Sequence, residues 1–316
     1  MKFMATALAL TVVGFVDAGE NVDERNLEIA ARHIEVEKEP FAKGGFSKVY
    51  RAKWRDEEVV VKAITQGDEE LSQKVKHEAR ITISLRHENV IKLHGFTTVK
   101  NGKRGIVGIV MELAAHGSLD KWIGKLDQDR TTKIALGIVD GLEYVHSQKV
   151  IHRDIKPNNI LMCGLKDDMI PKIADFGVAK VIKTAPETHT RVGQDMYMAP
   201  EVKMFNHYSF PADIYSLAMT LFEVFSEQLM RRSSEDITRF ITRACYGKVG
   251  DIPRSCKVPQ CLQSIILRGW DEMPQDRPQL VEYRSALEGA YLIGYTAMLP
   301  NCALSFCILS FSFGVV

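Results

Sequence analysis

Between Pro40 and Leu113 the apolar positions come in short runs of strand character. Lys48 to Trp54 and Glu58 to Ile64 read as two strands, with Gly44-Gly45 before them and the polar turn Arg55-Asp56-Glu57 between them. Leu71, Val75, Ala79 and Ile83 then recur every four residues, which predicts one helix over Asp68 to Leu85. Val90 to Phe96 and Ile106 to Leu113 read as two more strands around Asn101-Gly102, a pair that tight hairpins favour. Beyond His116-Gly117 the pattern lengthens to helical spacing. Ser118 to Ile123 is a short helix, and Thr131 to Ser147 is a longer one with Ile134, Ile138, Leu142 and Val145 on one face. A sheet-rich part with one helix followed by a mainly helical part is an α+β arrangement.

The ends differ from this middle. Lys2 is followed by fourteen uncharged residues, Phe3 to Val16, and then Asp17-Ala18, so residues 1–18 have the layout of a signal peptide or of an apolar packing segment. Residues 19–34 are polar and acidic and read as a connector. No residue after Glu288 carries a formal charge, and residues 291–316 form an apolar tail long enough to contact or cross a bilayer, interrupted by Pro300-Asn301.

With 316 residues, 46% apolar and 26% charged, the chain has the makeup of a globular protein. Its 41 basic and 40 acidic residues nearly cancel, which argues against nucleic acid as a partner and makes any phosphate-binding charge local. The six cysteines form no CxxC pair and suit a reducing compartment, in conflict with a cleaved signal.

The chemistry sits in His152-Arg153-Asp154-Ile155-Lys156-Pro157-Asn158-Asn159, followed sixteen residues after Asn159 by Asp175-Phe176-Gly177. The run and its spacing resemble the catalytic loop and the D-F-G motif of the eukaryotic protein kinase superfamily, which implies a two-lobed domain over residues 35–290, a small antiparallel-sheet lobe with one helix at 35–112 and a larger, mainly helical lobe at 113–290. The resemblance implies that Asp154 orients the acceptor hydroxyl and takes its proton, and that Lys156 stabilises the transferring phosphate. Asn159 and Asp175 would hold Mg2+, with ATP as the phosphoryl donor.

Upstream, Val59-Val60-Val61-Lys62 resembles the strand whose lysine meets the α- and β-phosphates, and Glu78, sixteen residues on, matches its acidic partner. Val110-Met111-Glu112-Leu113-Ala114 resembles the segment joining the lobes, where backbone groups of Glu112 and Ala114 would bind adenine and Met111 would line the pocket behind it. Downstream, Ala199-Pro200-Glu201 closes the activation segment, Arg277 is the expected ion partner of Glu201, and Asp213 matches the aspartate that anchors the catalytic loop. Arg153 ahead of Asp154 implies control by phosphorylation, with Thr184, Thr188 and Thr190 as acceptors.

The phosphate cradle departs from the family pattern: Ala42, Gly44 and Ser47 stand where three glycines are usual, with Gly45 beside them and Val49 in register. Gln194 replaces a usual threonine, Thr82 an apolar residue and Ala218 a glycine. Lys156 favours serine or threonine acceptors, and Leu267 to Pro278 resembles the tyrosine-kinase-like branch. The expectation is therefore a cytoplasmic or membrane-associated kinase acting on a protein substrate, of undetermined oligomeric state. Ala42, Ser47 and Gln194 keep open the alternative of a signalling scaffold that retains the fold without transfer.

Overall fold

The computed structural model describes residues 27–43, 47–64, 82–101, 104–176, 195–227 and 256–298, together with positions 76, 80 and 252. The first lobe is built on a six-stranded antiparallel sheet, β1 (Ile34–Val36), β2 (Ala42–Lys43), β3 (Ser47–Trp54), β4 (Glu57–Ile64), β5 (Leu93–Asn101) and β6 (Arg104–Glu112), in the order β1-β3-β4-β6-β5 with β2 also on β3. The second lobe holds the helices α1 (Gln128–Ser147), α2 (Pro200–Phe205), α3 (Phe210–Ser226), α4 (Gln260–Gly269) and α5 (Leu280–Met298), and a hairpin of β7 (Ile160–Leu165) and β8 (Asp168–Ile173).

Strand β4 shows why the first sheet has two buried faces. Side chains alternate across a strand, so Val59 and Val61 join Ile29, Ile34, Ala52 and Val110 in an outer cluster, while Val60 and Ile64 join Ile83, Leu93, Ile109 and Met111 in an inner one. Lys62 shares the inner side with Val60 and Ile64, and this parity aims its ammonium at the cleft.

Several expectations change in detail. Residues 27–34 do not form a polar connector: Ile29 and Ile34 are buried, and the 27–29 segment exchanges backbone bonds with Phe96 of β5, Ile29 N–H to Phe96 O at 2.6 Å and Phe96 N–H to Leu27 O at 2.8 Å. The apolar residues there are spaced among charges, and it is pairing with β5 at Ile29 and with β3 at Ile34 that buries them. The strand expected at Val90 begins at Leu93, because Val90 bridges to Ile173 instead. Ser118 to Ile123 gives only a 3₁₀ turn at Leu119–Lys121. Helix α1 starts three residues early because Asp127 caps it, accepting the Arg130 N–H at 2.8 Å. The β7–β8 hairpin was not foreseen. Helix α5 takes in the first residues of the apolar tail, with Ala290 in the core of the second lobe. Among the described residues no helix is long and apolar enough to cross a membrane.

Helix α3 is the centre of the second lobe. Every residue from Ala212 to Ser226 is buried, including a hydrogen-bonded polar stripe of Asp213, Ser216, Thr220, Glu223 and Ser226 on one face, and Pro211 opens the helix. The lobes are joined where Asn89 lies on α1 at Gly137 and Gly141. A Cβ on Gly141 would stand 2.6 Å from the Asn89 carbonyl, so only glycine admits this approach. From there Ile173 N–H bonds Asn89 O at 2.8 Å and Ile91 N–H bonds Ile173 O at 2.9 Å, which fixes the end of β8 and the residues after it.

Candidate active site

The loop between α1 and β7 hangs on a carboxylate from below. Asp213, in the first turn of α3, accepts the N–H groups of His152 and Arg153, both at 2.8 Å, and His146 Nε2 at 2.9 Å. His152 is fully buried between two backbone groups: its Nε2 lies 2.9 Å from Ala174 O and its Nδ1 accepts the Asp154 N–H at 3.2 Å. That pairing requires the neutral Nε2–H tautomer. Burial accordingly lowers the His152 pKa, against the opposing pull of Asp213 and the Ala174 carbonyl.

Asp154 is held by its own loop. Lys156 Nζ reaches both carboxylate oxygens, at 2.8 and 2.6 Å, and Asn159 Nδ2 donates to Asp154 O at 2.7 Å and Oδ2 at 2.8 Å. The amide nitrogen of Asn159 is thereby committed to Asp154, and its carbonyl oxygen is the end left for a cation. Asn159 is buried in the 3₁₀ turn Pro157–Asn159, so its orientation is set by packing as well.

Ala174 N–H bonds Asn159 O at 2.8 Å and brings the next residue, Asp175, beside the same loop. Asp175 has φ 64°, a left-handed conformation that aspartate tolerates better than bulkier residues. Its Oδ1 meets Lys62 Nζ at 2.7 Å. Burial pushes this carboxyl up, but the Lys62 ammonium, with His152 and Lys156 behind it, outweighs burial and holds the pKa below its ordinary value. Phe176 packs edge-on against His152, ring centres 4.7 Å apart.

On the sheet side, Met111 is buried and lines a small cavity of ≈ 20 Å³ with Lys62, Thr82, Ile91, Leu93, Asp175 and Phe176. The buried Thr82 thus faces the same space as Lys62 and Asp175. Val49, Ala114 and Leu161 are partly buried against the inner cluster that contains Val60 and Met111, forming an apolar slot shared by both lobes. The backbone N–H of Glu112 is taken by Lys92 O at 3.0 Å, and Ala114 O accepts Gly117 N–H at 3.3 Å. Glu112 and Ala114 thus flank the end of β6, where the chain passes from one lobe to the other. The Glu112 side chain accepts Lys92 N–H at 2.7 Å and pairs with Lys172 of β8 at 3.1 Å, tying the lobes together at this point.

Lys62, Asp154, Lys156, Asn159 and Asp175 are thus brought together. Ala42 is exposed and pairs with Val49 in β2–β3. Gly44, Gly45, Glu78, Thr184, Thr188, Thr190 and Gln194 lie outside the described residues. Sequence reasoning passed over Leu161, whose signal was its place two residues after Asn159, and Lys172, which nothing local distinguishes. Away from the cleft, Arg277 grips Glu201 through two bonds of 2.8 Å, NH1 to Oε1 and NH2 to Oε2, and also donates to Pro211 O and Asp271 O at 2.9 Å.

Residues 36–291 match the family model described as the protein kinase domain. A serine/threonine/tyrosine-protein kinase of Arabidopsis thaliana is 30% identical over 259 residues, 78% of this chain and 64% of the relative. A probable serine/threonine-protein kinase of Dictyostelium discoideum is 30% identical over 80% of this chain and 19% of its own length. A cysteine-rich receptor-like protein kinase of Arabidopsis thaliana is 34% identical over 65% of this chain and 31% of its own length. The chain therefore spans less than two thirds of each of these relatives, and they accord with the tyrosine-kinase-like character read at residues 267–278. A match over most of its length, with the catalytic-loop residues, Asp175 and Lys62 gathered at one cleft, makes this chain a member of the protein kinase family.

Proposed function

We propose that this protein transfers the γ-phosphate of ATP to serine or threonine hydroxyls of a protein substrate. The observation that carries the reading is the convergence of Asp154, Asn159, Asp175 and Lys62, drawn from three separate chain segments, within one set of hydrogen bonds. Adenine enters the slot of Val49, Val60, Ala114 and Leu161, with Glu112 O and Ala114 N–H at its polar edge. Lys62 receives the α- and β-phosphates, a role that asks it to share its ammonium between phosphate and Asp175.

The Asn159 carbonyl and the Asp175 carboxylate are oxygen donors, suited to Mg2+, which usually binds one or two carboxylates together with substrate phosphates. Bound there, Mg2+ would neutralise charge on the β- and γ-phosphates. Asp154 faces the acceptor hydroxyl, aligns it with the γ-phosphorus and takes its proton. A bond forms from the hydroxyl oxygen to phosphorus as the bond to the bridging oxygen of ADP breaks. Lys156, already on both Asp154 oxygens, offers its ammonium to the passing phosphoryl oxygens.

Incubation of the full chain with labelled ATP, Mg2+ and a generic basic protein, followed by phosphoamino-acid analysis, tests this. Phosphoserine and phosphothreonine are expected; phosphotyrosine alone would overturn the acceptor assignment. Absence of transfer by a folded chain would favour the scaffold reading that Ala42 and Ser47 motivate. Residues 299–316 are proposed as a membrane contact that holds the kinase at a cytoplasmic surface. Pelleting with membranes after carbonate washing should be lost when they are removed, and pelleting that survives their removal would contradict it.

A further inference from the structure

The His146 side chain has no place in the transfer scheme above, yet it touches the residue on which the catalytic loop hangs. It projects from the last turn of α1, and its Nε2 lies 2.9 Å from Asp213 Oδ2. The same oxygen accepts the His152 N–H, and the other carboxylate oxygen accepts the Arg153 N–H. Asp213 can hold two successive amides only while its carboxylate plane stays fixed. Of its three donors among the described residues, the two amides belong to the loop being positioned, and His146 comes from a helix.

The surroundings fit a side chain held for orientation. The His146 ring packs on Phe210 at the start of α3, ring centres 4.7 Å apart, and its side chain is 12% exposed, against 1% for Asp213. It also borders a groove of ≈ 550 Å³ beneath the second lobe, with Glu143, Lys149, Phe210 and Ile214 along the same wall. Packing on one side and a hydrogen bond to a desolvated carboxylate on the other leave the ring little freedom.

We propose that His146 is a positioning residue for phosphoryl transfer: its Nε2–H fixes the rotamer of Asp213, and through the His152 and Arg153 amides it sets where Asp154 stands. Its contribution falls on the chemical step. His146 contacts neither the slot of Val49 and Leu161 nor Lys62, so nucleotide binding is independent of it. The kinetic part rests on the protein being an active kinase, and the structural part does not.

The test compares the full-length wild-type chain with His146→Gln, which keeps an amide N–H near the Nε2 position, and His146→Leu, which removes the donor. A lost hydrogen bond to a charged group corresponds to a fall in kcat of about ten-fold or more. The expected result is such a fall in His146→Leu, with the KM for ATP changed less than about two-fold, and recovery of most of kcat in His146→Gln. Hydrogen exchange at the His152 and Arg153 amides should accelerate in His146→Leu and stay slow in His146→Gln. Equal exchange at these amides in all three proteins would overturn the proposal whether or not the wild type transfers phosphate. So would a kcat loss that His146→Gln fails to restore, or one matched by general loosening at amides far from the loop. If His146→Leu does not fold, the Gln variant decides: it must keep both slow exchange and activity. A wild type that transfers nothing while its loop amides respond as expected would overturn the kinase reading alone.

Discussion

Lys62 and Asp175 stand 113 positions apart in the chain and meet at 2.7 Å, one carried by β4 and the other by the segment after β8. The pair crosses from lobe to lobe. Its two members are the cation proposed for the phosphates and the carboxylate proposed for Mg2+, and the ammonium holds the Asp175 carboxyl below its ordinary pKa.

Replacing Lys62 by Met leaves the Asp175 carboxyl with burial and the weaker pull of His152 and Lys156. Its pKa should rise, a shift readable by carbon NMR of the labelled side chain. In the wild type the depressed Asp175 adds stability at pH above the ordinary carboxylate value, about 4, and that stability is lost as pH falls through the folded value. The variant should lack this dependence, and its kcat should drop by roughly 10² to 10³, as when one electrostatic contact to the reacting group is removed.

Arg277→Ala should strand Glu201 as a buried, unpaired carboxylate. Breaking such a pair costs about 3–5 kcal/mol, so denaturant unfolding should show a matching loss. Arg277→Lys should restore only part of it, because an ammonium cannot supply two parallel bonds to Glu201 and also reach Pro211 O and Asp271 O.

His152 gives the fold an acid sensitivity of known sign. Its pKa is depressed in the folded state, so the unfolded chain takes up its proton first and stability declines as pH drops below about 6.5. His94, whose pKa is lowered by burial and by Lys92, adds to the same slope. Urea unfolding between pH 7 and 5 should show His94→Gln flattening the slope partly and the double variant with His152→Asn flattening it further.

Gly141→Ala should destabilise the junction of the lobes. Its Cβ would meet the backbone carbonyl of Asn89 at 2.6 Å, where nothing flexible can give way, and overpacking of this kind costs about 1–3 kcal/mol. The KM for ATP should rise with it, since Asn89 and Ile91 fix the strand that leads to Asp175.

The catalytic loop was legible because its chemistry lies in consecutive residues: Asp154, Lys156 and Asn159 sit on one turn and bond one another. Strands β3 and β4 were legible through their apolar runs and the polar turn between them. Where contacts are long-range, the pattern was silent. Ile29 and Ile34 sit singly among charges, and only β5 and β3 make them part of a core. In the β7–β8 hairpin the apolar run Ile160 to Cys163 is too short to tell strand from helix by periodicity, and Pro171 interrupts the second run, so nothing set it apart from the helical pattern around it. Lys172 acquires its meaning from Glu112, which the chain brings to it only on folding.

Phosphate transfer from labelled ATP to protein, measured for the full chain and for Asp154→Asn, tests the account most directly. The substitution keeps the size of the side chain and an oxygen for Lys156 and Asn159 while removing the group that takes the proton. Mg2+-dependent transfer to serine or threonine is expected from the wild type, with a loss of at least about 10² in the variant, as when a general base is removed. Equal transfer by the two proteins, or none by a folded wild type that binds ATP, would contradict it.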